Sequence, residues 1–359
     1  MENAPIPVSL FPEMGFIDRK FPQPQYLGAK YIHRDWIRRF IPDDIHVALD
    51  AFSGSQSIAY LFKQLGLQTL TNDFLRFNGM IGKALIENGT EILTSDDIAI
   101  LRGGNHDPEE YNLMGTLFSG LFFNDADASF LDSLRSNIVL LDNEYKQALC
   151  FAIINRAMTR KVTMGHFAHK QALVYAADAA RVKRNPNLVR PISDIFIELV
   201  NEYNAAVFDN GTECRAYSED ILTLLPELKG IDLVYFDPPY CNSHADYQSF
   251  YHLLETFTMY WKDKQFINGT KRYSPKRYSG FDIKSCVLTN FNKLFENSVD
   301  IPYWLISYND RSFPDIDTFV KIISKFRKVD IEKKIYGNSR GGKGSVAGSH
   351  EVLLICKPY

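Results

Sequence analysis

Hydrophobic and polar positions along the first quarter of the chain predict alternating strands and helices. Apolar runs at 47–52 and 67–72 predict two strands, and each is followed by a stretch whose apolar residues recur at helical spacing. In the first stretch these residues are Ile58, Leu61, Phe62 and Leu65, and the second stretch ends near Gly89. A strand–helix succession of this kind is typical of a parallel sheet covered by helices.

The same alternation returns in the last part of the chain. Further strands are predicted at 214–217, 232–236, 302–307, 329–336 and 351–357, and helices at 250–261 and 316–326. A glycine-rich segment, 337–348, separates the last two strands and predicts a hairpin connection. The hydrophobic pattern therefore indicates an α/β fold that ends in a hairpin.

Between these two parts the alternation is absent. Residues 90–203 show mainly helical spacing of apolar positions, interrupted by short polar and glycine-containing segments. We therefore predict one α/β domain formed by residues 1–89 and 204–359, with residues 90–203 as an inserted, mainly helical domain. A length of 359 residues is compatible with this division.

Composition narrows the class of protein. The chain is 45% hydrophobic and 23% charged, which is typical of a globular protein. Its five cysteines are scattered and form no Cys-x-x-Cys pair, so we expect neither a zinc site nor disulfides. No apolar run approaches the length of a membrane span and no signal-peptide pattern is present, so we expect a cytoplasmic protein without a metal.

The net charge of −3 gives no indication of a nucleic-acid partner, but the charge is unevenly distributed. Segment 156–190 carries eight basic residues against one acidic residue, and segment 260–284 carries seven against two. Such segments suit phosphate contact, although most basic runs are only solvated faces. The residues we predict to contact DNA are Arg160, Lys161, Arg181, Lys183, Arg184, Lys271, Arg272, Lys276 and Arg277. Tyr273 and Tyr278 lie between those of the second segment, which we predict to be a loop.

The turn after the first strand has features of a nucleotide site. The sequence Asp50-Ala-Phe-Ser-Gly54 places a glycine where a strand leads into a helix, so that a ligand can approach the backbone closely. Asp73 follows the next strand at the distance expected of an acidic residue that binds ribose hydroxyls. We predict that Asp50, Phe52, Ser53, Gly54 and Asp73 bind a cofactor. A packing glycine and a capping aspartate would give the same pattern.

The most specific motif is Asp237-Pro238-Pro239-Tyr240, directly after a buried strand. Two prolines end the strand and fix the backbone, which leaves carbonyl groups free to face a site. The Asp237 carboxylate and the Pro238 carbonyl could accept the two hydrogens of an exocyclic adenine amine and stabilise positive charge that develops on it. Tyr240 supplies a flat face on which an extruded base could stack. These four residues are the predicted catalytic motif.

Four segments in this order, Tyr26-Leu-Gly-Ala-Lys30, Asp50-Ala-Phe-Ser-Gly54, Asp73 and Asp237-Pro-Pro-Tyr240, resemble the Dam-type (D12 class) adenine-specific N6 DNA methyltransferases. The resemblance spans nearly the whole chain, with the insertion matching in position alone. It implies a class I methyltransferase fold with a mostly parallel, Rossmann-like sheet, S-adenosylmethionine as cofactor and double-stranded DNA as substrate.

The resemblance also implies roles for single residues. Tyr26 and Lys30 would contact the cofactor, with Lys30 pairing with its methionine carboxylate. Asp73 would bind the ribose, and Asp237 would lie between the methyl donor and the target amine and so contact the cofactor as well. The insertion would contain the target-recognition region.

The sequence departs from the family pattern at two positions. Tyr26 stands where many relatives have tryptophan, and Gln56 replaces the second glycine of the usual Phe-x-Gly-x-Gly turn. We therefore expect a turn that is less tight or shifted at Gln56. For the adenine amine of the cofactor, Asp220 is the predicted acceptor, and Glu219 is the alternative.

The motifs of this sequence also admit other interpretations. Methylation of guanine N2 in RNA uses a similar Asp-Pro-Pro-aromatic motif, and a non-catalytic DNA-binding subunit could keep the fold. The segment 337–344 resembles a phosphate-binding loop, but Gly344 occupies the position that requires serine or threonine. His166 and His169 lack a third ligand at metal spacing, and Cys241 has no activating neighbour. The sequence leaves open whether a restriction endonuclease accompanies the enzyme.

Overall fold

A central sheet of seven strands organises the protein. The computed structural model describes residues 15–103, 107–241, 246–335 and 350–359. The strands are β1 (Val47–Asp50), β2 (Gln68–Asn72), β3 (Arg215–Tyr217), β4 (Leu233–Phe236), β5 (Gln265–Ile267), β6 (Arg272–Ser274), β7 (Tyr303–Asn309), β8 (Lys328–Ile335) and β9 (His350–Lys357). The large sheet has the order β3-β2-β1-β4-β7-β9-β8, and β5 pairs with β6 in a separate two-stranded sheet.

Helices cover both faces of the sheet and form most of the central segment. They are α1 (Arg34–Arg38), α2 (Ser57–Gln64), α3 (Arg76–Gly82), α4 (Ser95–Arg102), α5 (Leu113–Phe118), α6 (Asp125–Ile138), α7 (Glu144–Arg160), α8 (Ala172–Ala176), α9 (Ala179–Arg184), α10 (Ile192–Ala206), α11 (Ile221–Leu224), α12 (Tyr247–Phe250), α13 (His252–Met259), α14 (Val287–Glu296) and α15 (Ile316–Ile323). Among the described residues, no helix is both long and apolar enough to cross a bilayer.

The strand directions agree with the predicted mostly parallel sheet and its antiparallel end. Neighbouring strands from β3 to β7 run parallel, whereas β9 is antiparallel to both β7 and β8. All four residues of β4 are buried, as expected for a parallel strand with helices on both faces. The glycine-rich connection predicted at 337–348, together with the segment 337–344, lies outside the described residues.

The order of the strands reverses between β1 and β4. The chain runs outward from β1 through β2 to β3, and the next strand of the large sheet, β4, pairs with the opposite edge of β1. In open α/β sheets a crevice forms beyond the carboxyl ends of the strands at such a point, and ligands bind there. The two predicted motifs, at the ends of β1 and β4, therefore lie beside each other.

The helices of the inserted segment do not have a core of their own. Phe122, Leu149 and Ile154 from this segment belong to the same buried apolar cluster as Phe77 and Leu254, which lie outside it. The segment is therefore packed against α3 and α13. The division into two domains remains a prediction.

One predicted DNA contact is instead an internal ion pair. The Lys161 ammonium lies 2.8 Å from the Asp127 carboxylate and donates to the carbonyl of Arg190 at 2.6 Å. Both side chains are 5% exposed, and Asp127 also accepts a hydrogen bond from the backbone N–H of Ile192. Lys161 thus joins α6, α7 and the start of α10, and burial removes it from the DNA-contacting residues predicted from charge.

This ion pair gives a stability prediction. Lys161→Ala should lower the free energy of unfolding by about 3 to 5 kcal/mol, because it leaves the buried Asp127 carboxylate without its cation. The matched control, Lys183→Ala, removes an exposed lysine from α9 and should change this free energy by less than about 0.5 kcal/mol. Denaturant unfolding measures both variants. Equal stabilities would contradict a structural role for Lys161.

Candidate active site

The turn between β1 and α2 is fixed by contacts to its neighbours. The Asp50 carboxylate accepts a hydrogen bond from the Ala59 N–H of α2 at 3.0 Å, and the Ser53 N–H donates to the Asn72 carbonyl at 3.0 Å. Gly54 has a φ of +45°, and a Cβ atom there would lie 3.0 Å from the Tyr26 ring. Only glycine combines this backbone conformation with so close an approach.

Gln56 explains how the turn tolerates the missing glycine of the family pattern. It has a left-handed backbone with a φ of +66°. Its side-chain nitrogen donates to the Ser53 hydroxyl at 2.7 Å and to the Asn78 carbonyl at 3.1 Å, and its oxygen accepts from the Thr71 hydroxyl at 2.6 Å. These three hydrogen bonds offset the cost of a left-handed conformation in a non-glycine residue.

Asp73, at the end of β2, holds the same turn from the other side. One carboxylate oxygen accepts from the Gly54 N–H at 2.8 Å, and the other accepts from the Leu75 N–H at 2.8 Å and from the Asn78 amide at 3.0 Å. Burial raises the pKa of Asp73. A carboxylate has about four acceptor positions, so these bonds leave capacity for a ligand hydroxyl.

Tyr26 forms an aromatic wall opposite Gly54. Its ring is stacked on Tyr251, with centroids 4.6 Å apart and planes 6° apart, and the Tyr247 ring lies 5.8 Å away. The Tyr26 hydroxyl accepts from the Asn78 amide at 3.2 Å. Stacking fixes the ring orientation, so a tyrosine serves here where many relatives have tryptophan. No sequence motif indicated that Tyr247 and Tyr251 would pack against Tyr26.

The predicted catalytic motif leaves the sheet at the end of β4, and its side chains contact Lys30. The Lys30 ammonium lies 2.9 Å from one Asp237 oxygen, and the other Asp237 oxygen accepts from the Tyr240 hydroxyl at 2.9 Å. Lys30 also donates to the Tyr240 hydroxyl at 3.1 Å. The segment that ends at Lys30 and the Asp237–Tyr240 motif therefore meet in one largely buried cluster. Lys30 contacts the Asp237 carboxylate in this chain, and its pairing with a cofactor carboxylate stays a prediction.

Glu351 is a member of this cluster that the sequence analysis missed. Its carboxylate is fully buried and lies 3.4 Å from the Lys30 ammonium. Burial, which is the largest cause, raises the pKa of Glu351 to about 7, and the charge of Asp237 adds to the shift, whereas Lys30 opposes it. The sequence feature that could have pointed to Glu351 is an acidic residue at the start of an apolar strand. No recognisable motif surrounds this residue.

Lys30 and Asp237 border a cleft of about 950 Å³ at the carboxyl ends of β1 and β4. Among its described lining residues, Lys30 is the one base, whereas the acids are Asp50, Asp73, Glu219, Asp220, Asp237 and Asp282. No donor among the described residues meets the buried Oδ1 of Asp50 in hydrogen-bonding geometry. Burial and the charge of Asp237 raise the pKa of Asp50 well above its usual range. The cleft is suited to a cationic ligand.

The remaining predicted cofactor residues also line the cleft. Phe52 packs edge-on against Phe281, with ring centroids 5.1 Å apart. Asp220 caps the start of α11 by accepting from the Leu222 N–H at 2.9 Å. Glu219 is half exposed and lies 3.6 Å from the Arg76 guanidinium. The sequence analysis missed lining residues that follow the catalytic motif and the basic loop: Tyr247, Gln248, Ser279, Phe281 and Asp282.

The second basic segment differs in part from the predicted loop. It contains the short hairpin β5–β6, and Tyr273 is buried against Trp261, whereas Tyr278 is 68% exposed. The Arg277 guanidinium stacks 4.2 Å above the Phe74 ring and donates to the Phe74 carbonyl.

The other basic side chains fall into paired and exposed groups. In the second segment, Lys276 pairs with Asp246, Arg272 donates to the Ala168 carbonyl and Lys271 is exposed. In the insertion, Arg160 pairs with Glu198 and Glu202, Arg181 pairs with Asp178, and Lys183 and Arg184 are exposed. His166 and His169 have no third metal-binding partner in the part of the chain that the structure describes.

The strand order and the acidic cleft with an Asp-Pro-Pro-Tyr motif at its edge define a class I methyltransferase. Comparison with known families gives the particular one. The sequence profile of the D12 class N6 adenine-specific DNA methyltransferases matches residues 26–334. The chain belongs to this family and is an adenine-specific DNA methyltransferase.

Two characterised relatives carry related names. The Type II methyltransferase M2.HphI of Haemophilus parahaemolyticus is 33% identical over 343 residues, which cover 94% of this chain and 98% of that protein. The Type II methyltransferase M.FokI of Planomicrobium okeanokoites is 26% identical over 313 residues, which cover 79% of this chain and 44% of that protein.

Proposed function

We propose that this enzyme transfers a methyl group from S-adenosylmethionine to the N6 amine of an adenine that has been extruded from double-stranded DNA. The observation that carries the proposal is the Asp237 carboxylate, held by Lys30 and Tyr240 at the edge of an acidic cleft. The family supports the reaction, and the charge and position of the cleft support the cofactor.

The cleft fits S-adenosylmethionine because that molecule carries a net positive charge and the lining acids outnumber the bases. When bound, it supplies an electrophilic methyl group on a sulfonium centre. We propose that Asp73 binds the ribose and that Asp220 accepts from the adenine amine, since Glu219 is directed to Arg76. The other residues of the proposed cofactor site are Tyr26, Lys30, Asp50, Phe52, Ser53, Gly54 and Asp237.

Asp237 and the Pro238 carbonyl are the proposed acceptors for the two hydrogens of the target amine. Hydrogen bonds from the amine to these two oxygens make the nitrogen lone pair more nucleophilic. They also stabilise the positive charge that develops on nitrogen. Lys30 and the Tyr240 hydroxyl orient the carboxylate, so most of the catalysis consists of positioning for a direct displacement. Pro239 lines the cleft, and the Tyr240 ring is the proposed stacking surface for the extruded base.

We place the DNA contact on the predicted basic side chains other than the buried Lys161. Arg277 and Lys276 lie in the loop after β6, beside the lining residues Ser279 and Phe281. The remaining proposed contacts are Lys271, Arg272, Arg160, Arg181, Lys183 and Arg184. Because both relatives are named Type II methyltransferases, we further propose a cognate restriction endonuclease as a functional partner.

The first test of the function is Asp237→Ala. Removal of an acceptor aimed at developing charge should lower the rate of methyl transfer by about 100-fold or more. Single-turnover assays with labelled cofactor and duplex DNA, followed by identification of the modified nucleoside, measure this effect. Asp263→Ala, an exposed control, should keep the wild-type rate. Modified guanine from RNA, or full activity of the Asp237 variant, would contradict the proposal.

The second test compares two glycines with positive φ. Gly54→Ala should weaken cofactor binding, because its Cβ would press on Tyr26 and narrow the cleft. Gly66→Ala has similar backbone strain, with a φ of +77° and no atom within 4 Å of the added Cβ, so it should cost about 1 to 2 kcal/mol of stability at most. Calorimetric titration with S-adenosylmethionine should show weaker binding in the first variant alone, and equal affinities would remove Gly54 from the site.

The third test concerns the DNA surface. Arg277→Ala should weaken binding to all duplex sequences alike and reduce the slope of log affinity against log salt by about 1, if Arg277 neutralises one phosphate. Arg215→Ala, at the amino end of the edge strand β3, is the matched control and should leave the slope unchanged. Fluorescence anisotropy at several salt concentrations gives both values. An unchanged slope for Arg277→Ala would identify the loop as a solvated face.

A further inference from the structure

We propose that Glu351 is a positioning residue for methyl transfer, which helps to hold the Lys30 ammonium against Asp237 and Tyr240. The proposal rests on the proposed function, since it assigns a role within that reaction. It extends the site to β9, a strand that contains no methyltransferase motif.

The position of Glu351 in the sheet fixes its carboxylate beneath the site. β9 lies between β7 and β8, and Glu351 stands opposite Asn309 on one side and Lys334 on the other. Its side chain is 1% exposed, and its Oε1 lies 3.4 Å from the Lys30 ammonium. Neither carboxylate oxygen has a hydrogen-bond partner elsewhere among the described residues.

A purely structural role explains this residue poorly. The next three residues of β9 are Val352, Leu353 and Leu354, all fully buried, so an apolar side chain would suit the strand. Burial of a carboxyl group costs free energy unless a partner compensates it. The ion pair with Lys30 is the compensating contact that the structure shows, and Lys30 in turn contacts the catalytic carboxylate.

The arrangement makes two carboxylates share one ammonium. With Glu351 neutral, the Lys30 charge acts on Asp237 alone. With Glu351 ionised, the ammonium is shared, so Asp237 keeps more of its negative charge for the target amine. Methyl transfer should therefore be faster when Glu351 is ionised.

Several other charged or titratable groups lie around Glu351 and Lys30. Lys30, Asp237, Tyr235 and Tyr240 interact electrostatically with Glu351, and Lys334 stands opposite it on β8. His33 lies near Lys30 and Lys334. The pKa of His33 is lowered to about 4, and those of the two tyrosines are raised well above their usual range. The pKa of Glu351, about 7, places its ionisation in the range where activity can be measured.

The test is the pH dependence of the single-turnover rate for Glu351→Gln, measured from pH 6 to 9 with saturating cofactor and DNA. In the wild type the rate should rise through about pH 7. In the variant the rise should disappear, and the rate above pH 8 should fall by about tenfold, the size of a lost charge-assisted contact. Glu332→Gln, the same change at an exposed position of β8, should retain the wild-type profile.

A wild-type pH profile and rate in Glu351→Gln would overturn the proposal. If that variant does not fold, as judged by circular dichroism, Glu351→Asp decides the question. Aspartate keeps the carboxylate at a greater distance, so the pH-dependent rise should remain with a smaller loss of rate, and a flat profile would overturn the proposal. If neither the wild type nor Glu332→Gln methylated adenine in DNA, the proposed function would be refuted. This outcome is distinguishable from a failure of the Glu351 proposal, in which both proteins remain active.

Discussion

The buried ammonium of Lys30 is the interaction on which the site depends. It contacts Asp237 and Tyr240 from the catalytic motif and Glu351 from β9, so three distant parts of the chain meet at one atom. A charge in the protein interior is tolerated only when opposite charges and hydrogen-bond acceptors surround it. This requirement ties the segment around Lys30 to β4 and β9, and it fixes the orientation of the Asp237 carboxylate before any ligand arrives.

The same charge balance determines what the cleft can bind. One lysine offsets only part of the acidic lining, and burial raises the pKa of both Asp50 and Asp73. A cationic ligand would relieve this imbalance, because it supplies the positive charge that the chain lacks there. The Gly54 turn leaves room for such a ligand, and the hydrogen bonds of Gln56 and Asp73 hold that turn in place.

Local patterns in the sequence predicted the fold and the main motifs. The strands ending at Asp50 and Asp237 were recognisable because apolar runs, glycine and proline act over a few residues. The ion pair between Lys30 and Asp237 was not recognisable in this way. These two residues are more than half the chain apart, and only the order of the strands brings them together. Charge counting likewise could not separate the buried Lys161 from the exposed Lys183, because burial depends on a carboxylate from another helix.

The placement of β9 has a consequence for the order in which the enzyme becomes active. β9 fills the gap between β7 and β8, two strands that precede it in the chain, and it brings Glu351 to Lys30. Until residues 350–357 have left the ribosome, β7 and β8 each present an unpaired edge, and the site lacks one of its carboxylates. A growing chain therefore cannot complete the cluster of Lys30, Asp237, Tyr240 and Glu351 until β9 has been synthesised. A chain that ends before β9 exposes strand edges that favour aggregation.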